Sequence, residues 1–182
     1  MQELETRIID IDVDWIRQKL ISINGILVKK ENQINHIFDY KDGSLLRKKG
    51  YARIREVQDI LNMKTVNYMT VKKLISQDIY KVMEENETII ESAKEGKNIF
   101  NSLGLQLVES ISKYRESYKY KNTLVEIDIN DEKFCPFPYI EIETNVHEEL
   151  EEVLQLLGYS LKDTTSKTIY EILEAKGVMK GL

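Results

Sequence analysis

The sequence predicts an α+β fold built on a mainly antiparallel sheet. Three observations predict it. About eight segments alternate at period two, and most follow one another at hairpin spacing. Three or four stretches carry apolar residues at helical spacing and end on glycine. Charged residues recur in pairs at i, i+2 on the strand-like segments, where a half-buried strand normally places apolar groups.

The first of these segments is Glu3-Leu4-Glu5-Thr6-Arg7. As a strand it sends Glu3, Glu5 and Arg7 to one face and Leu4 and Thr6 to the other. A helix is expected from Asp14 to Asn24, capped by Asp12 or Asp14 and ended by Gly25. A second strand opens at Gly25 to Val28 and runs through Ile34 and Phe38 to a turn at Lys41-Asp42-Gly43-Ser44. Leu45 to Lys49 reads as a basic connector closed by Gly50.

Tyr51 to Val57 is a third strand, with Tyr51, Arg53 and Arg55 on one face. Asn67 to Lys72 is a fourth, with Tyr68, Thr70 and Lys72 together. Gln77 to Met83 is expected as a fifth, and a long helix is expected from about Asn86 to Gly104. Leu105 to Tyr120 presents Lys113, Arg115 and Ser117 on one face; Thr123 to Asn130 presents Glu126, Asp128 and Asn130. A rigid Phe134–Pro138 link leads to Tyr139-Ile140-Glu141-Ile142-Glu143. Helices are expected at His147 to Leu157, ended by Gly158, and at Thr168 to Ala175.

Composition sets bounds. At 182 residues the chain is expected to form one domain, 1–182, with a real core. A net charge of −5 argues against nonspecific nucleic-acid binding. The single cysteine, Cys135, excludes an internal disulfide and a cysteine-cluster zinc site, and reads as a buried thiol. No apolar run reaches the roughly 18 residues of a membrane span. The charged N-terminus is not that of a signal peptide, so a cytoplasmic location is expected. His36 and His147 read as surface or turn residues, and Glu148 to Glu152 as a solvated helix face.

The charge pattern has a chemical reading. Acids pair on the first and last strong strands and bases pair in the middle. If the strands close into a barrel, these faces meet inside it. Neither a basic nor an acidic wall is comfortable alone. A polyphosphate with a hard divalent cation satisfies both: Arg and Lys grip phosphate oxygens, and carboxylates hold Mg²⁺ or Mn²⁺. Phosphoryl transfer needs little beyond such positioning and charge stabilisation.

Five of these strands resemble, in order and spacing, those of the CYTH superfamily, the triphosphate tunnel metalloenzymes named for class IV adenylyl cyclase and thiamine triphosphatase. Glu3-Leu4-Glu5-Thr6-Arg7 resembles the family's Glu-x-Glu-x-Lys. Ala52-Arg53-Ile54-Arg55 resembles its Arg-x-Arg strand, and Met69-Thr70-Val71-Lys72 the strand that follows. Lys113 to Tyr118 resembles its Arg-x-x-Tyr strand, and Tyr139 to Glu143 its C-terminal Glu-x-Glu.

The resemblance implies an eight-stranded antiparallel closed β-barrel, a tunnel with flanking α-helices, and a homodimer. It implies that Glu3, Glu5, Asp128, Glu141 and Glu143 hold Mg²⁺ or Mn²⁺, with Asn130 and Asp131 competing for the place of Asp128. It implies that Arg7, Arg53, Arg55, Lys72, Lys113 and Arg115 bind the triphosphate, with Lys167 as a late contributor. Glu5 or Asp128 would orient an attacking water. The expected activity is metal-dependent hydrolysis of tripolyphosphate, ATP or thiamine triphosphate. The alternatives are an adenylyl cyclase of the class IV kind and a non-catalytic triphosphate-binding module.

Two departures stand out. Arg7 replaces a lysine, and guanidinium neither deprotonates nor fits the same space. Where the family shows Arg-Glu-Glu-x-Glu, the chain is expected to place Ser76-Gln77-Asp78-Ile79-Tyr80, with Asp78 inward and Tyr80 in place of an acid.

Overall fold

The computed structural model describes residues 2–178. Its eight strands are β1 (Gln2–Ile9), β2 (Ile26–Tyr40), β3 (Tyr51–Asp59), β4 (Lys64–Gln77), β5 (Lys81–Ile90), β6 (Leu105–Tyr120), β7 (Thr123–Asn130) and β8 (Tyr139–Thr144). They form a closed barrel in the order β1-β5-β4-β3-β2-β6-β7-β8, every neighbouring pair antiparallel. Five α-helices flank it: α1 (Val13–Ser22), α2 (Ser44–Arg47), α3 (Ala93–Ser102), α4 (His147–Leu156) and α5 (Ile169–Ala175). No helix among the described residues is long and apolar enough to cross a membrane.

The apolar face of the sheet is the outside of the barrel. The alternation in β1 sends Leu4 and Ile8 outward, where they join Ile16 and Leu20 of α1 and Leu150, Val153 and Leu154 of α4. A second cluster lies under α3, around Phe38, Ala52, Ile54 and Phe100. A third joins Ile172 and Leu173 of α5 to Phe137 and the buried, unpaired Cys135. The helices therefore bury the apolar surface, and the barrel interior is left to polar side chains.

Local signals place the helix starts. Asp12 caps α1 by accepting from Trp15 N at 3.0 Å. Ser92 caps α3, accepting from Glu95 N at 3.2 Å. Thr168 and Glu171 form a capping box on α5. The basic connector after Gly43 tightens into α2 because the buried Asp39 carboxylate accepts from Leu45 N at 2.9 Å and Leu46 N at 2.8 Å. Asn24, at φ 62°, takes the left-handed position that ends α1, one residue before the expected Gly25.

The fifth strand departs from expectation. β4 runs on to Gln77, Asp78 to Tyr80 form the turn, and β5 occupies Lys81–Ile90. The expected helix from Asn86 therefore begins only at Ala93. Glu84-Glu85-Asn86-Glu87 favours helix by propensity, but the ladder to β4, from Asn67↔Ile90 to Gln77↔Lys81, overrides it. Asp78 is exposed in the turn, and Tyr80 is buried outside the barrel against the edge of His147, ring centroids 4.7 Å apart. Neither stands in the tunnel wall.

Gly50, just before β3, lies tightly against β4. A Cβ added there would lie 2.5 Å from the Lys72 carbonyl oxygen and 3.3 Å from Lys73 Cα. Backbone cannot swing aside as a side chain does, so Gly50→Ala forces β4 outward at Lys72. We expect a loss of about 1–3 kcal/mol, read as a lower urea midpoint at unchanged m-value; an unchanged midpoint would contradict this packing.

Candidate functional site

The strand alternation that turns Leu4 and Ile8 outward turns Glu5 and Arg7 into the barrel. The β1–β8 register sets Glu5 opposite Glu143 and Arg7 opposite Glu141. Carboxylate oxygens of Glu5, Glu141 and Glu143 come within 4.8 Å of one another. Oxygen donors at that spacing suit a hard divalent cation. The trio faces a cavity of about 280 Å³ that also meets Arg7, Arg53, Arg55, Lys72, Lys113 and Arg115.

The environment separates the acids. Burial, with Glu126, Glu141 and Glu5 nearby, pushes the Glu143 carboxyl up to about 8, against the pull of Lys72. Burial also pushes Glu141 upward, but Arg7 and Arg115 outweigh it and hold that carboxyl well below the usual range.

The bases differ in how fully they are paired. Arg7 bridges Glu5 and Glu141 and donates to the Lys167 carbonyl at 2.9 Å. One Nη serves Glu5 and Glu141 and the other serves the Lys167 carbonyl, so the planar fork divides the three acceptors between two nitrogens. Arg53 meets Glu87 at 3.3 Å and Glu85 at 3.6 Å. Lys72 meets Glu85 at 2.9 Å. Lys113 lies 2.9 Å from Asp128, yet burial and Arg115 push its ammonium down to about 8. Arg115 grips Asp128 with Nε at 2.6 Å and an Nη at 2.7 Å, and reaches Glu141 at 3.2 Å.

Arg55 is different. Its Nε donates to Asn35 Oδ1 at 2.8 Å, and among the described residues it makes no ion pair. Burial, Arg53 and Arg115 lower its pKa. A guanidinium that acids such as Glu87 reach only at longer range, with cations beside it, is held ready for an anion.

The remaining expected residues fall as follows. Glu3 lies in β1, and its side chain is outside the described residues. Asp128 is fully buried and engaged by Lys113 and Arg115, apart from the carboxylate trio. Asn130 lines the cavity, whereas Asp131 is exposed in the loop beyond β7. Lys167 contributes its backbone carbonyl to Arg7.

Asn35 of β2 lines the cavity and is absent from the sequence reading, and three further wall residues escaped it: Lys81, Glu85 and Glu87. These three are on β5 and face inward with Met83, as the pairs Lys72↔Glu85 and Thr70↔Glu87 show. The signal was present, since Lys81, Met83, Glu85 and Glu87 alternate at period two. Glu84-Glu85-Asn86-Glu87 also fits the Glu-Glu-x-Glu expected at Ser76 to Tyr80.

Comparison with known proteins agrees with this geometry. The family model of the CYTH domain matches residues 1–169. No curated protein matches the sequence. Among solved structures, the PH1819 protein of Pyrococcus horikoshii OT3 is 22% identical with a TM-score of 0.78, the match covering 96% of this chain and 99% of that one. The PH1012 protein of the same organism is 19% identical with a TM-score of 0.76, covering 93% and 98%. HpAC1 from Hippeastrum, studied as an adenylyl cyclase and described as having a dominant triphosphatase activity, is 17% identical with a TM-score of 0.61, covering 97% and 88%. With a family model spanning nearly the whole barrel and the family's charged strands lining its interior, the chain belongs to the CYTH domain family.

Proposed function

We propose that this protein is a metal-dependent hydrolase of a triphosphate-containing small molecule. The observation that carries the proposal is the meeting, inside one closed barrel, of a carboxylate trio with a basic wall in which Arg55 makes no ion pair among the described residues. A cavity of about 280 Å³ lies just below the range for drug-sized ligands. That favours a compact, highly charged ligand such as tripolyphosphate or the phosphate chain of ATP or thiamine triphosphate. The dominant triphosphatase activity described for HpAC1, on the same fold, favours hydrolysis over cyclisation.

In this reading Glu5, Glu141 and Glu143 hold Mg²⁺ or Mn²⁺, with Glu3 on the same strand as a further donor. When bound, the cation neutralises phosphate oxygens and draws charge from the phosphorus under attack. Arg53, Arg55 and Lys72 bind the phosphate chain from one side, and Lys113 and Arg115 from the other. Asp128 positions these last two bases. Glu5 orients the water. The tunnel walls exclude bulk solvent, which strengthens every charge contact within.

Four measurements test the reading. Incubation with tripolyphosphate, ATP and thiamine triphosphate, each with Mg²⁺ or Mn²⁺, should release orthophosphate and a shortened phosphate chain; cyclic AMP with pyrophosphate would establish a cyclase instead. Glu5→Gln should cut turnover by at least about 10²-fold while triphosphate binding persists; undiminished turnover would remove Glu5 from the metal site. Arg53→Ala removes charge-assisted hydrogen bonds of about 1.5–3 kcal/mol, so KM should rise roughly 10- to 100-fold, and an unchanged KM would take Arg53 off the substrate.

The last measurement follows from Glu143. Its carboxyl is raised from 4.5 to about 8 in the folded chain. The folded state therefore keeps a proton that the unfolded state has lost, and stability falls as pH rises through that window. In chelator, Glu143→Gln should flatten this decline and raise Tm at pH 9. Parallel pH profiles for the two proteins would show that Glu143 does not carry the effect.

A further inference from the structure

Lys81 has no part in the phosphate grip just described, yet it is 4% exposed and its ammonium lies 2.5 Å from Glu5 Oε1. Arg7 reaches the same oxygen and also Glu141. Lys72 stands 3.8 Å from the other oxygen of Glu5, and Arg115 3.2 Å from that of Glu141. The described side chains thus set four cations on two carboxylates of the trio, Glu5 and Glu141. A divalent cation arriving alone meets two carboxylates, Glu5 and Glu141, whose oxygens already accept N–H bonds. Displacing those donors would leave buried ammonium and guanidinium groups without partners, which is costly.

A phosphate chain changes that balance. It brings several negative charges and oxygen acceptors into the same cavity. Arg7 Nε is buried without a hydrogen-bond partner, as is Arg53 Nε. Such donors gain a partner when an anion fills the tunnel.

We propose that Lys81 and Arg7 are resident counter-ions that hold the carboxylate trio closed to a free divalent cation. A triphosphate draws them onto its own oxygens and opens the trio. Metal and triphosphate then bind with positive coupling, each tightening the other by the same factor. Lys81 is a positioning residue in this scheme, acting through Glu5. The inference rests on the metal–triphosphate reading above.

The test is calorimetric titration of Mn²⁺ into the full chain, alone and with saturating imidotriphosphate, whose P–N–P links resist hydrolysis. The Kd for Mn²⁺ should fall at least about tenfold when the analogue is present. Lys81→Gln should tighten Mn²⁺ binding to the empty protein about fivefold or more and shrink the coupling, and Lys81→Arg should restore it. Equal Mn²⁺ affinity with and without the analogue would overturn the inference and leave the hydrolase reading standing, as would Lys81→Gln with coupling unchanged. Failure of both Mn²⁺ and the analogue to bind would overturn both. The comparison within the wild-type protein decides the coupling even if a variant does not fold.

Discussion

A barrel interior filled with ionised groups is the constraint on which the rest of this structure depends. Charges removed from water need partners at close range. Strand alternation supplies them by setting whole faces of acids and bases against each other across the lumen. Asp128 under Arg115 and Lys113, Glu85 against Lys72, and Glu141 between Arg7 and Arg115 are all answers to that requirement. The apolar halves of the same strands must then be covered from outside, which is why each of the three hydrophobic clusters includes residues of a helix.

The pairing is nearly, but not completely, self-sufficient. Arg55 makes no ion pair among the described residues, and burial, with acidic neighbours, holds Glu143 partly neutral. These two imperfections lie in the same lumen, one calling for an anion and the other for a cation. A fold optimised only for stability would remove both, as functional sites commonly do not.

Much of this was legible from residue order alone. Period-two alternation assigned the inward face correctly for Glu5 and Arg7, for Arg53 and Arg55, for Lys113 and Arg115, and for Glu141. β6 and β7 occupy the expected residues end to end. The failure at β5 has a physical cause. A glutamate-rich stretch followed by Ile89 and Ile90 carries both helical propensity and strand alternation. Only its ladder with β4, a contact invisible to local reading, decides between them. Misplacing that strand hid Lys81, Glu85 and Glu87 together. The connector Leu45 to Lys49 was misread for a similar reason, since its capping carboxylate, Asp39, belongs to the preceding strand. How Arg7 uses its guanidinium was equally out of reach, because one of its partners is the carbonyl of Lys167, 160 residues away.

The seam between β1 and β8 joins residues 4–9 to residues 139–144. Closing it pairs segments far apart along the chain, a pairing of high sequence separation and high loop-closure entropy. Until β8 pairs with β1, Arg7 lacks Glu141, its ion-pair partner across the seam. The carboxylate trio is drawn from both sides of that seam. The lumen thus gains its chemistry only at the step that completes the chain's topology, and an incompletely folded molecule has no working part of it.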